Sequence, residues 1–350
     1  MDKAFVENIK KVYNLLQDDL SKQIWGCRLM HSLTGDSHYI RKIMKKTDNG
    51  NELYAKMKKT DKDKVIFGVG MIGKRLLDIF DNITFSCFVD NNHAGETYKG
   101  LPVINIETLK KDYSDAFIVI SSRVFHSEIL KQLLTEGFKE ENIINIGETC
   151  DRLSRLQYFD LPDLKTDING KEIFVDGGCY DGKNSFEFKK WCNNSGVKET
   201  FIYAWEPDPK TLQACKSMLD ANQCRYKIID KGLWSEKDTL CFTTADTSSA
   251  ICENGTVHIE VDSIDNIISE PITYIKMDVE GAEYKALLGA EKTIKKYKPK
   301  LAICIYHKPE DVWEIPMLIH KINPNYRFYV RHYSLTTPET ILYAIDESGL

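Results

Sequence analysis

The stretch Lys171 to Gly182, KEIFVDGGCYDG, constrains this chain more than any other. Ile173, Phe174 and Val175 form an unbroken apolar run. Such a run suits a central strand buried on both faces of a parallel sheet. Asp176 ends the run, and Gly177, Gly178 and Gly182 follow at once. The spacing predicts a strand, a glycine-rich turn and a helix from about Asn184 to Trp191, whose positive N-terminal end faces the turn. Neither the dinucleotide spacing G-x-G-x-x-G nor the phosphate loop G-x-x-x-x-G-K-[ST] occurs here. An acid ahead of the glycines suits a ligand with cationic or hydroxyl groups. S-adenosylmethionine has both, an amino group and a sulfonium beside a ribose. A ligand-free tight turn is the other reading.

At 350 residues the chain has room for about two domains. Its apolar share, 42%, supports packed cores, and a net charge of -5 provides no general basic footprint for nucleic acid. No apolar run approaches the roughly 20 residues of a membrane span. The opening MDKAFVENIKK has no apolar signal core, so a cytoplasmic protein is expected. Ten cysteines stand singly without a C-x-x-C pair, which fits reduced thiols rather than a disulfide framework or a zinc site.

Residues 1–60 read as a helical segment, with Phe5, Ile9, Val12, Leu15 and Leu16 at helical spacing and a break at Thr34-Gly35-Asp36. It would cap a neighbouring domain or form a homo-oligomer contact. Residues 61–150 read as a small Rossmann-like βαβ domain of about four strands, at Val65–Phe67, Phe85–Val89, Phe117–Ile120 and Ile143–Ile146. Gly68, Gly70 and Gly73 follow the first strand and Asp90 ends the second. These match the dinucleotide fingerprint, with a pyrophosphate on the helix N-terminus and a ribose hydroxyl on Asp90. Half of a full dinucleotide fold is missing, so three readings stay open: a structural or interaction module, a sugar-nucleotide site, and an NAD(P) site. Residues 151–170, with Pro162 and several aspartates, read as a linker.

Residues 171–350 carry the chemistry. Phe201–Trp205 is a second strand ending in Glu206-Pro207, where a carboxylate can take both ribose hydroxyls of a nucleoside. Tyr226–Ile229 ends in Asp230, which would accept from an adenine amine or make a turn. A hairpin extension follows, with Thr247-Ser248-Ser249 between its strands, within reach of a substrate mouth. Tyr274–Met277 then delivers Asp278, Glu280 and Glu283 to the edge where open α/β sheets bind ligands. Glu280 and Glu283 also suit a helix dipole, and Asp278 also suits an ion pair with Lys276. Leu301–Tyr306 ends in His307, a general base toward a substrate hydroxyl or a structural histidine. Phe328–Val330 and Thr340–Tyr343 would close the sheet as an antiparallel pair.

V-D-G-G-C-Y-D-G, A-W-E-P, I-K-M-D-V-E-G-A-E and L-L-G-A, in this order and spacing, resemble the FkbM-type family of S-adenosylmethionine-dependent methyltransferases. The resemblance covers about Lys171 to Ile345. It implies an α/β class I methyltransferase fold with a seven-stranded mixed, Rossmann-like sheet, and O-methylation, often of a sugar or polyketide hydroxyl. It carries Asp176, Gly178 and Glu206 over as cofactor contacts, and Asp278 and Glu280 as acids at the reaction edge. Two departures are the Cys179-Tyr180 pair in the turn and Tyr306-His307 in place of the usual acid-x-His ending. Further upstream, FGVGMIGK, FVDNN and GLPVI resemble small Rossmann-like domains attached to sugar-modifying enzymes of surface-glycan pathways. That implies a sugar-nucleotide or interaction role.

The expected cofactor contacts are Asp176, Gly177, Gly178, Tyr180, Gly182, Glu206, Pro207 and Asp230. The expected catalytic residues are His307, Asp278 and Glu280. A divalent metal on Asp278, Glu280 and Glu283 is the other way to activate a hydroxyl. The expected function is O-methylation of a sugar or glycan-related acceptor in polysaccharide biosynthesis. The competing classes are a non-enzymatic nucleotide-sugar or glycan binding module, and an NAD(P)-dependent oxidoreductase using Gly68, Gly70, Gly73 and Asp90.

Overall fold

The computed structural model describes residues 3–46, 48–161, 164–166, 170–245, 248–251 and 257–346. Pro162, Thr247 and the side chains of Ser248 and Ser249 lie outside the described residues. The chain divides into two units. One comprises Met1–Leu29, Gln157–His332 and Glu339–Leu350, and the other Met30–Leu156 and Tyr333–Pro338.

The first unit is built on a seven-stranded sheet. Its strands are β1 (Lys171–Gly177), β2 (Glu199–Trp205), β3 (Tyr226–Ile229), β4 (Tyr274–Met277), β5 (Lys300–Cys304), β6 (Tyr326–His332) and β7 (Thr340–Asp346). Their order is 6-7-5-4-1-2-3. Strands β1 to β5 run parallel, while β7 pairs antiparallel with both β5 and β6. The expected mixed sheet is therefore present, with β1 and β4 at its centre. Ile173, Phe174 and Val175 are buried on both faces of β1, as the unbroken apolar run requires. Phe174 stacks on Phe188 of helix α1 (Lys183–Asn194) at 4.5 Å, and Phe159 and Tyr274 complete an aromatic cluster around them. Helices α2 (Pro209–Ala221), α3 (Glu283–Leu288) and α4 (Asp311–Ile322) follow β2, β4 and β5. The hairpin extension forms a separate four-stranded sheet from Gly232–Leu233, Asp238–Ala245, Ser248–Ile251 and Val257–Asp262.

Parallel register places Lys276 of β4 directly beside Asp176 of β1. Their side chains therefore share one face of the sheet, both fully buried, with Lys276 Nζ 2.9 Å from Asp176 Oδ1. Lys276 also donates to the carbonyls of Gly177 (3.1 Å) and Gly178 (2.7 Å), and Ser185 of α1 donates to the second Asp176 oxygen at 2.7 Å. Burial disfavours the ammonium, but Asp176 and Asp278 outweigh it and raise its pKa.

The N-terminal helices Lys3–Leu15 and Asp19–Thr34 supply residues to this unit. Phe5 packs edge-on against Trp313 of α4, with ring centroids 5.3 Å apart. Trp25, 2% exposed, donates from Nε1 to the Val312 carbonyl at 2.8 Å. Leu16 bridges to Phe328 of β6, and Asp18 pairs with Arg331 at 2.7 Å. The helical segment expected over residues 1–60 is thus shared between the two units, dividing at Leu29.

The second unit holds a six-stranded sheet. Its strands are Lys64–Phe67, Cys87–Val89, Thr97–Tyr98, Leu101–Ile104, Phe117–Ile120 and Ile143–Asn145. The sequence reading gave about four strands. The added hairpin is short, and Pro102 hides it from a propensity reading. Helix Ile146–Leu156 runs past the boundary expected at 150, and Tyr158 and Phe159, read as linker, are buried in the first unit. Among the described residues no helix is long and apolar enough to cross a membrane.

Two substitutions test this architecture by chemical denaturation. Trp25→Ala is expected to cost about 3–5 kcal/mol, as for a large buried aromatic. A loss below ~1 kcal/mol would show that the N-terminal helices are not part of that core. Lys276→Met leaves the Asp176 carboxylate buried without its cation and is expected to cost about 3–5 kcal/mol. A neutral result would refute the buried ion pair.

Candidate active site

The C-terminal ends of β1, β2, β4 and β5 bring most of the expected residues to one edge. The glycine turn after β1 is held by its own hydrogen bonds. The N–H groups of Gly178 and Cys179 both donate to the Trp205 carbonyl, at 3.1 and 3.0 Å, and Gly182 N–H donates to Cys179 at 2.8 Å. Gly178 has φ +73°, and a Cβ there would lie 2.0 Å from the Asp278 carbonyl oxygen. Only glycine lets the ends of β1 and β4 come so close. Gly177 stands beside it as the last residue of β1, and Gly182 is the N-cap of α1. Asp176, expected as a direct cofactor contact, has no exposed surface. Its oxygens are taken by Lys276 and Ser185, so it fixes the turn rather than facing a ligand.

Glu206, at the end of β2, is 9% exposed and lies against this turn. Its Oε2 accepts from the Tyr180 N–H at 3.1 Å and its Oε1 from the Asp208 N–H at 3.0 Å. Burial raises its pKa, while those two backbone donors and the Thr211 hydroxyl act the other way. Tyr180 has φ +48° and a side chain well out in solvent. Pro207 is half-buried next to Glu206, and Asp230 stands exposed at the end of β3. These four residues sit on one edge of the sheet.

Past β4, Asp278 accepts from two tyrosine hydroxyls, Tyr306 on Oδ1 at 3.0 Å and Tyr158 on Oδ2 at 3.1 Å. Burial pulls its pKa up, but Lys276, His307 and the hydrogen bonds to the carboxylate bring it below the usual value. His307, after β5, lies among three carboxylates: Glu283 Oε1 at 2.8 Å from Nδ1, and Asp278 Oδ1 and Glu280 Oε2 at 3.4 and 3.5 Å from Nε2. Burial opposes its charge, yet Glu283, Asp278 and Glu280 carry its pKa up to about 9. The three carboxylates thus favour the protonated imidazole, which weighs against the expected role of a general base. Glu280 is exposed with φ +53°, whereas Glu283 is fully buried and also accepts from Val279 N–H at 2.9 Å.

Sequence reasoning missed Tyr158, because it falls in a stretch read as linker, and gave Tyr306 no role beyond a departure from the family pattern. The aromatic pair Tyr158-Phe159 ahead of a polar, aspartate-rich run was the available signal. It also missed Arg28, buried on an N-terminal helix and donating to the Tyr306 carbonyl at 3.1 Å. Asp311, on α4, went unnoticed too: burial, and next the Glu283 charge, push its carboxyl up to about 7.

In the second unit the glycine fingerprint is folded as expected, after a strand and into helix Met71–Ile79. Gly73 is a packing residue, since a Cβ there would lie 2.2 Å from the Gly68 carbonyl oxygen. Gly68 has φ +109°, and Gly70 caps the helix. Asp90, expected on a ribose, accepts from Val69 N–H at 3.3 Å, Asn92 N–H at 3.0 Å, and faces His93 Nδ1 at 3.0 Å. Val69 lies in the glycine turn itself, so Asp90 ties the end of its strand to that turn.

With that geometry in place, comparison with known proteins is direct. Residues 176–330 match the family model described as the methyltransferase FkbM domain, and residues 61–144 match C2185-like, N-terminal. No curated protein matches the chain. A solved structure titled methyltransferase FkbM from Methylobacillus flagellatus KT is 22% identical, with a TM-score of 0.51, covering 85% of this chain and 93% of that one. An rRNA methylase from Streptococcus thermophilus is 15% identical over 57% of this chain and 95% of its own, with a TM-score of 0.34. Aeropyrum pernix fibrillarin, solved with bound S-adenosyl-L-methionine, is 11% identical over 55% of this chain and 74% of its own, at 0.35. The sheet order and the glycine turn agree with that match: residues 176–330 fit the methyltransferase FkbM domain model on a methyltransferase fold.

Proposed function

We propose that this chain transfers a methyl group from S-adenosylmethionine to a hydroxyl oxygen of a sugar-containing acceptor. Glu206 carries the reading. Its carboxylate is held at the end of β2 against the glycine turn, with two of its roughly four acceptor sites used by the Tyr180 and Asp208 amides. Capacity remains for a hydroxyl donor, as a nucleoside ribose would supply. Gly177, Gly178 and the exposed Tyr180 would border the same ligand, and Pro207 and Asp230 would flank its base.

When bound, S-adenosylmethionine supplies an electrophilic methyl group, and the acceptor oxygen forms its C–O bond as the C–S bond breaks with the electron pair left on sulfur. The chain contributes placement and charge. Alignment of the two reactants is the larger effect, worth roughly 7–11 kcal/mol of barrier when geometry is good. Asp278, its orientation fixed by Tyr158 and Tyr306, would hold the acceptor by its hydroxyl groups. The hydroxyl proton would leave through Asp278 and the exposed Glu280 at the mouth of the cluster. Carboxylates are acceptors only, so this mouth suits a polyhydroxylated molecule.

The test is calorimetric titration of the full chain with S-adenosylmethionine, with Glu206→Ala beside the wild type. Loss of charged hydrogen bonds is expected to cost about 1.5–3 kcal/mol, roughly tenfold to a hundredfold in Kd. No binding by folded wild type would refute the methyl-transfer reading. Equal affinity in the variant would refute the role of Glu206. Incubation with labelled donor and hydroxylated sugars should give a methyl ether stable to mild alkali. An alkali-labile product would mean carboxyl methylation instead.

A further inference from the structure

The cluster beyond β4 has more buried polar capacity than its own contacts use. Asp278, Glu283 and His307 each offer one ligand atom, and these atoms lie within 4.8 Å of one another. Glu283 is fully buried, yet its Oε2 has no hydrogen-bond partner among the described residues. The two ring nitrogens of His307, 10% exposed, likewise make no hydrogen bond of good geometry. The Glu283–His307 approach at 2.8 Å is an ion-pair distance without hydrogen-bond alignment. Orphaned buried groups of this kind are rare in native structures and call for a partner.

We propose that Asp278, Glu283 and His307 bind a divalent cation of the magnesium–manganese class. Two carboxylates and one imidazole form a hard, mostly oxygen donor set with coordination positions to spare. Ligand bonds of about 2.0–2.2 Å bring ligand atoms within roughly 4.4 Å of each other. The present spread closes with a small side-chain shift. Tyr158 and Tyr306 already donate to Asp278 and orient it, as outer partners of a metal carboxylate do. The sequence-based set changes by one member: His307 replaces Glu280, which is exposed and stands at the rim. The ion would sit between the imidazole and the two carboxylates, with open positions for a hydroxyl oxygen of the acceptor. Cation binding stands on the cluster alone, whereas its use in activating that hydroxyl rests on the methyl-transfer reading.

The experiment is titration of the metal-stripped full chain with Mn²⁺, followed by electron paramagnetic resonance of the free ion. The same titration is made on Glu283→Gln and on His307→Gln, with circular dichroism as the check of folding. One ion bound per wild-type chain, and at least a tenfold weaker Kd in a folded variant, is the expected result. If Glu283→Gln does not fold, His307→Gln carries the comparison. No Mn²⁺ binding by folded wild type overturns the metal site. Unchanged affinity in both variants places the ion elsewhere and also overturns it. Titration of the same stripped protein with S-adenosylmethionine separates the two ideas. Donor binding without Mn²⁺ binding leaves methyl transfer standing and removes only the cation.

Discussion

The buried ammonium of Lys276 is the constraint on which the first unit turns. It sits in the middle of the sheet, between β1 and β4, with no exposed surface. A lone charge there would be prohibitive, so Asp176 and the carbonyls of Gly177 and Gly178 must stay where they are. The glycine turn is thereby pinned to the end of β4. The same close approach places Asp278 next to the turn, which sets the glycine turn and the acid cluster side by side. One ion pair thus serves two functional regions without belonging to either.

Much of this was legible because the relevant signals are local. An unbroken apolar run marked β1, paired strand ends marked Glu206 and Asp278, and ordered motifs marked the family. What escaped were relations between residues far apart in sequence. Asp176 reads as a ligand because it precedes glycines, and only the register with Lys276 shows that it is consumed internally. His307 reads as a base because it ends a strand, and only the fold shows the three carboxylates that converge on it. Tyr158 is separated from Asp278 by 120 positions and lies in a segment that looks like a connector. In the second unit Asp90 fits its motif, and its hydrogen bond to the Val69 amide joins it to the glycine turn 21 positions earlier.

The acid cluster shows how little a motif says about the division of labour inside it. Asp278, Glu280 and Glu283 fall within six consecutive positions but in three environments: oriented by tyrosines, open to solvent, and fully enclosed. The left-handed backbone at Glu280 turns it outward, and the helix start at Glu283 turns the next acid inward. Chemistry is thereby distributed by backbone conformation rather than by residue type.

The dependence of the first unit on its N-terminal helices has a consequence for the order of events during synthesis. Ser21 accepts from the Val330 amide across 309 positions, and Leu16 bridges to Phe328. Residues 1–29 are made well before the residues they pack on, Tyr306, Val312, Trp313 and β6, which follow most of the second unit. The apolar faces around Val12, Leu16 and Trp25 therefore spend most of translation uncovered. Their exposure in that interval is a window for chaperone capture or misassociation, and its length scales with the size of the unit carried between them.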